Sequence, residues 1–364
     1  MLKTAYNPIL WGQKAADPAV SIIIPTYKRG HLLHHVLEAL TNQTDKDFEV
    51  LLIVKPSGDK TERVIEEYRE RLKINLVLQH FGYVTDALNL GLKNAAGKII
   101  VFIDDDAIPF PNLVQSYILA YSTPEIGGVA GDVVPVVLQG DVVCEFKDTP
   151  SEIVLAKTPK NALAQKLGAR PLQGLEDYLI YISKAGFVSL NYNVVHKMFG
   201  QSVNSLLAKG ANMSVSSTAC AGFQFPTSWI LGLTFEQYLG WHLWKKGYRV
   251  IFNPNIKAYH IHHGQSLSRH IKDTKKSSVL CAENRFLFYR LYGSEPGLSL
   301  LNRSVLLLIE LLADLRGICL HKDLSRIGMF KDKIFAELIG VRWLICKKLG
   351  LNYSPLAELQ KMLP

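Results

Sequence analysis

The sequence predicts an α/β fold in which helices wind on both sides of a parallel sheet, and three observations carry that expectation. Apolar runs alternate with stretches of helical periodicity four times between Val20 and Ile103, the order that specifies βαβ units. The runs are nearly uninterrupted, as strands buried on both faces are. The acidic triplet Asp104-Asp105-Asp106 follows the fourth run directly, at the carboxyl end of a strand, where open α/β sheets bind ligands.

Each element follows from its residues. Val20 to Pro25 reads as a first buried strand stopped by proline, and Leu32, Leu33, Val36, Leu37 and Leu40 then recur at helical spacing. Phe48 to Val54 is a second strand. Asp59-Lys60-Thr61-Glu62 has the pattern of a capping box, opening a helix with Val64, Ile65, Tyr68 and Leu72 on one face. Ile74 to Leu78 is the third strand, and Thr85 to Ala96 is a helix that Gly97 is expected to end in a left-handed conformation. Ile99 to Ile103 is the fourth strand. Asn112 to Tyr121 reads as a helix, Gly127 to Pro135 as a strand with close backbone approach, Phe235 to Gly247 as an amphipathic helix and Arg249 to Pro254 as a strand. The stretch from about Asp141 to Ser205 has no clear period and is expected to hold loops and short helices. From Ser277 onward long helical patterns dominate, including Asn284 to Leu291 and Leu300 to Leu315.

Composition narrows the class. The 364 residues, 48% hydrophobic and 20% charged, exceed what one core serves, so an α/β domain with substantial additions is expected. The cysteines, Cys144, Cys220, Cys281, Cys319 and Cys346, form no CxxC pair and are odd in number. That argues for reduced thiols in a cytoplasmic setting and against a zinc site or disulfide framework. The strongest apolar segment, Ser304 to Leu312, contains Glu310 and is too short and too charged to span a bilayer. Net charge is +9, and from Gly240 onward basic residues outnumber acidic ones 20 to 9. Such an excess suits an anionic membrane surface or a phosphorylated substrate. Nucleic acid is not an expected partner, because no binding motif with interleaved aromatics is present. The first βα turn, Pro25 to Gly30, lacks GxGxxG, which weighs against a nicotinamide enzyme.

Three crowded carboxylates repel one another, so a cation is expected among them. A hard divalent ion, Mg²⁺ or Mn²⁺, held by one or two carboxylates and by substrate phosphates fits that chemistry.

Taken in order, several blocks resemble the family-two inverting glycosyltransferases, particularly the rhamnosyltransferase-like branch. The blocks are Val20 to Arg29, Gly82 to Gly91, Asp104 to Asp106, Gly210 to Val215, Phe235-Glu236, Gly247 to Pro254 and His260 to His263. The resemblance implies a GT-A, Rossmann-like nucleotide-binding sheet with an acceptor-side extension and a C-terminal helical region. It divides the chain into a donor-binding half at 18–135, an acceptor and catalytic-base half at 136–265, and a basic helical region at 266–364. The implied reaction moves a hexosyl or deoxyhexosyl group from a nucleotide-sugar donor to a hydroxyl of a glycan or lipid-linked acceptor. Asp104 and Asp106 match the DXD positions, and His260 or His262 completes the metal set, His260 by family position and His262 because strand alternation puts both on one face. Pro25, Thr26, Tyr27, Arg29, Lys55, Asp86, Asn89, Asp104, Asp105, Gly210 and Asn212 are the donor-side residues, and Glu236 stands where the family places its base.

Two departures from the family pattern stand out. Phe235-Glu236 replaces the usual Glu-Asp pair, and Lys55-Pro56 occupies the position of the acids that hold uracil in uridine-nucleotide users. Uridine, guanosine and deoxythymidine donors therefore stay open. A non-catalytic sugar-nucleotide-binding scaffold and a nucleotidyltransferase are the competing readings. The basic C-terminal region is expected to lie on the cytoplasmic membrane face, with Arg285, Arg290, Arg303, Lys347 and Lys348 beside apolar helix faces.

Overall fold

The structure is a computed structural model, and it describes residues 11–12, 17–140, 142–145, 170–198, 200–227, 230, 232–263 and 274–361. In chain order the elements are β1 (Trp11–Gly12), β2 (Val20–Thr26), α1 (Gly30–Thr41), β3 (Phe48–Val54), α2 (Thr61–Tyr68), β4 (Ile74–Leu78), α3 (Val84–Asn94), β5 (Ile99–Phe102) and β6 (Ala107–Pro109). They continue through α4 (Leu113–Ala120), β7 (Ile126–Gln139), β8 (Val142–Glu145), β9 (Ile180–Ile182), β10 (Val188–Leu190), α5 (Tyr192–Val195), β11 (Val203–Asn204) and β12 (Met213–Ser216). Last come α6 (Phe235–Lys245), β13 (Arg249–Ile261), α7 (Thr274–Leu291), α8 (Leu300–His321), α9 (Ser325–Lys348) and α10 (Pro355–Gln360). The range 146–169, within the stretch without a clear period, lies outside the described residues.

The chain forms two compact units. One holds Met1–Ala156, Tyr192–Thr227 and Leu239–His263, and the other holds Lys157–Asn191, Ser228–Tyr238 and Gly264–Pro364. Residues 18–135 thus fall wholly in the first unit, while 136–265 are shared between the two.

The first unit is built on a sheet of order β1-β4-β3-β2-β5-β12-β7-β13-β11. Strands β4, β3, β2 and β5 are mutually parallel, as the alternation of strands and helices requires. The sheet as a whole is mixed. Strand β12, from the Gly210 to Val215 block, inserts antiparallel between β5 and β7, pairing Met213 with both Phe102 and Ala130. No periodicity marks so short a strand, and only its pairing partners define it.

Strand β13 runs well past Pro254. Its register against β7 slips between Asn253 and Lys257, a bulge that absorbs the proline's missing donor. Beyond the bulge it pairs antiparallel with β6, and His260 comes opposite Ala107. The bulge thereby delivers the histidines to the residue that follows the acidic triplet.

Two local expectations are corrected. Helix α2 starts at Thr61 without a capping box: Asp59 accepts from the Thr61 hydroxyl at 2.7 Å and from the Ser57 hydroxyl at 2.8 Å. Gly97 does not close α3 in a left-handed conformation, since Ala95 caps that helix in an extended one. It is needed for close approach instead, because a Cβ there would lie 2.5 Å from the Ser21 backbone nitrogen.

A polar knot ties the lower end of the parallel strands. Glu49, 1% exposed, accepts from the Ser21 hydroxyl at 2.6 Å, the Asn75 amide at 2.7 Å and the Ala96 backbone N–H at 2.9 Å. The buried Ser21 and Asn75 donors would lose this partner if the carboxylate were removed. Glu49→Ala is therefore expected to destabilise the fold by about 3–5 kcal/mol, with Glu49→Gln costing clearly less. Urea denaturation followed by circular dichroism measures both, and a loss below about 1 kcal/mol for the alanine variant would sink the assignment.

Candidate active site

The site is assembled at the carboxyl ends of β2 and β5. Strand β5 stops at Phe102, and Ala107 N–H bonds back to the Asp104 carbonyl at 3.1 Å, so the three aspartates form a turn. After β2 the chain turns through Lys28, a non-glycine residue at φ 59°. That sparsely populated conformation costs free energy, and it carries the chain from Tyr27 to Arg29.

Arg29 supplies positive charge inside the cluster. Its Nη1 donates to Asp105 Oδ1 at 2.9 Å and to Asp106 Oδ2 at 3.2 Å. His260 Nε2 lies 3.2 Å from Asp106 Oδ1, and His263 Nε2 lies 2.8 Å from Asp106 Oδ2. One ligand atom each from Asp104, Asp106 and His260 fall within 4.8 Å of one another. Two carboxylates and an imidazole at that spacing form a donor set suited to a divalent cation, and imidazole favours Mn²⁺ over Mg²⁺.

Burial and charge pull the three carboxyls apart in acidity. Burial pushes Asp104 up to about 7, and repulsion from Asp106 adds to it. Burial likewise pushes Asp105 up to about 6, against the pull of Arg29. Burial would raise Asp106 as well, but hydrogen bonds from His260 and His263 and the charge of Arg29 hold it well below the carboxylate range. Asp106 is thus the permanently ionised member, and Asp104 changes charge near neutrality.

His263 is the residue that sequence reasoning passed over. Alternation pairs His260 with His262, but β13 ends at Ile261. Past that point the period of two lapses, so His263 turns in toward Asp106 while His262 is exposed. The Ile261 N–H bonded to the Asp106 carbonyl at 2.9 Å fixes this turn.

The other residues expected on the donor side divide into two groups. Pro25 and Thr26 end β2, and Tyr27 projects beyond it, 46% exposed. Lys55 donates to the Gly82 carbonyl at 2.9 Å, with its ammonium 5.5 Å from the Tyr27 ring centroid and 5.7 Å from that of Tyr83. These residues gather at the ends of β2 and β3. Asp86, Asn89 and Asn212 are engaged in bonds within the fold. Asp86 accepts from Tyr83 N–H at 2.8 Å and caps α3, and Asn89 brackets the Phe225 backbone with bonds of 2.8 and 2.7 Å. Asn212, fully buried in the turn that Gly210 begins, accepts from Tyr117 and donates to the Asp132 and Ile256 carbonyls.

Glu236 occupies the first turn of α6, where the helix dipole favours a carboxylate. Thr234, two residues earlier, has φ 68°, a strained conformation for a β-branched residue. Such strain gathers at functional positions.

Comparison with known proteins agrees with this architecture. Residues 21–142 match Glycosyl transferase family 2. Validoxylamine A glucosyltransferase of Streptomyces hygroscopicus subsp. jinggangensis (strain 5008) is 38% identical over 117 residues, 31% of this chain and 28% of that protein. Chondroitin synthase of Escherichia coli is 39% identical over 101 residues, 27% of this chain and 15% of that protein. The chain therefore spans less than a third of the length of either curated relative. Among solved structures, S. aureus TarS 1–349 in complex with UDP-GlcNAc shares the fold with a TM-score of 0.52 at 14% identity, covering 89% of this chain and 81% of that one. Residues 21–142 thus carry the sequence of glycosyl transferase family 2, and the mixed sheet that continues beyond them has a GT-A-like fold.

Proposed function

We propose that the protein is an inverting, metal-dependent glycosyltransferase that moves a sugar from a nucleotide-sugar donor to a hydroxyl of a glycan or lipid-linked acceptor. The observation that carries the reading is the gathering of Asp104, Asp106 and His260 ligand atoms within 4.8 Å at the ligand-binding edge of a family-two sheet. Residues 18–135 then serve the donor, 136–265 bring the base, and 266–364 form the helical region.

Asp104, Asp106 and His260 would hold the cation. When bound, Mn²⁺ or Mg²⁺ neutralises charge on a departing nucleoside diphosphate. Asp106 reaches that task ionised because His263 and Arg29 hold it so. Tyr27 and Tyr83 offer ring faces, and Lys55 between them offers a cation, at the strand ends where the nucleobase binds. Displacement with inversion needs a base to take the acceptor proton, and Glu236 has the chemistry for it. Thermal-shift measurements with uridine, guanosine and deoxythymidine diphosphate sugars plus Mn²⁺ test donor binding through linkage. Release of a nucleoside diphosphate on turnover supports the reading. Pyrophosphate release would make the protein a nucleotidyltransferase, and binding without turnover a scaffold.

Proton competition gives a further test. Below pH 7 Asp104 binds a proton, and below pH 6 Asp105 does too, whereas a metal needs Asp104 as carboxylate. Mn²⁺ affinity is therefore expected to rise with pH and level off above neutrality. Below pH 7 it should fall by about tenfold per pH unit, with proton release on binding. Calorimetric titration in two buffers checks this, and an affinity flat between pH 5.5 and 8 counts against Asp104 as a ligand.

Substitution separates the roles. Asp106→Asn should weaken Mn²⁺-dependent donor binding and lower turnover together. Glu236→Gln should lower kcat by about 10²–10⁴-fold while donor-induced stabilisation survives. Retained turnover in Glu236→Gln would remove that residue from the reaction.

A further inference from the structure

In the second unit, helix α8 is turned inside out. Its inward stripe is charged. Arg303 is 3% exposed and meets Glu337 at 2.7 Å, Glu310 receives Arg285 at 2.5 Å, and buried Asp314 receives Lys333 at 2.5 Å. Its outward side is apolar. Leu301, Val305, Leu308, Leu312 and Leu315 recur along one ridge, with Leu301 72%, Leu308 58% and Leu312 55% exposed. Leu307, Ile309, Leu311 and Ile318 beside the ridge are only half-buried. From Leu301 to Leu315 the ridge extends roughly 21 Å at the α-helical rise, and Leu320, on the adjoining flank, is 68% exposed. A helix in water presents charge outward and apolar groups inward. The reversed order points to a non-aqueous neighbour.

The charges around the ridge identify that neighbour. Among the described residues from 300 to 361, the acidic side chains are taken up internally: Asp323 by Arg326, Asp332 by Ser278 and Glu358 by Arg342, besides the three pairs above. Arg316, Lys322, Lys331, Lys347 and Lys348 are exposed and pair with no acid among the described residues. Arg316 stands one helical turn from both Leu312 and Leu320. The sequence-based expectation drew partly on Arg285, Arg290 and Arg303, but all three are withdrawn from the surface. Arg285 and Arg303 share Glu337, and Arg290 packs against Tyr238 and Trp343.

The 4-3-4-3 spacing of the ridge is also that of a coiled-coil seam. Two features favour lipid over a second copy. The apolar face is wider than a two-position seam, and its flanking charges are of one sign, so two copies would bring like charges together. No helix among the described residues is long and apolar enough to cross a membrane, which leaves a helix lying in the interface plane. We propose that the outward face of α8 docks on an anionic phospholipid bilayer, its leucines among the acyl chains and Arg316 and Lys322 on headgroup phosphates.

This surface is independent of the sugar-transfer reading. The full chain is floated with vesicles of phosphatidylglycerol and phosphatidylcholine at equal parts, and with phosphatidylcholine alone. Flotation with the anionic vesicles only is expected. Leu308→Ser with Leu312→Ser should lower the bound fraction by about tenfold, as should Arg316→Glu with Lys322→Glu. Thermal melts establish that both variants fold, and donor-induced stabilisation should be unchanged in each. The proposal is overturned if the parent chain fails to float, or if both folded variants float as it does. It is equally overturned if sedimentation shows a dimer that the serine variant dissolves.

Discussion

Three carboxylates at the end of β5 cannot all stay ionised in a desolvated corner without positive charge beside them. Much of the first unit can be understood as the supply of that charge. The strained turn at Lys28 brings in Arg29, and the bulge at Pro254 sends β13 far enough to set His260 and His263 against Asp106. The result is graded: Asp106 is held ionised by three donors, while Asp104 is left protonatable. A site of this kind can hold its shape without metal and still give up a proton when one arrives.

The parallel half of the sheet was legible because strands buried on both faces leave an apolar run that nothing else explains. Phe48–Val54 and Ile74–Leu78 match their runs end to end. The acidic triplet was legible for the same reason, since charge directly after such a run must lie at the strand's end. Less could be read where pairing rather than pattern decides. Strand β12 has too few residues to show a period, and β13 looked finished at Pro254 because a bulge past a proline has no local signature. His263 was hidden by a rule applied beyond its range, because alternation holds only while the chain stays extended. Asp86 and Asn89 do share a helix, but a carboxylate at the third position of a helix and an amide opposite a bare backbone find work in the fold itself.

The second unit reverses the usual economy of a soluble helix pair. Charge is used inside, where Arg303, Arg285 and Glu337 lock α7, α8 and α9 together. Such buried pairs add little over apolar packing, yet removing one partner strands a charge in the interior. The same arrangement leaves leucines outside, so the polarity of the surface is set by what the interior has already consumed.

The antiparallel seat of β12 bears on how the chain is divided. Residues 21–142 carry the family's sequence, yet the strand joining β5 to β7 is Met213–Ser216. Cut at 142, the segment would leave β5 open on one edge and β7 open on both, with their amides free for any passing strand. The matched stretch is therefore not a cassette that can be lifted out, because β5 and β7 are joined by a strand that the chain supplies only at residue 213.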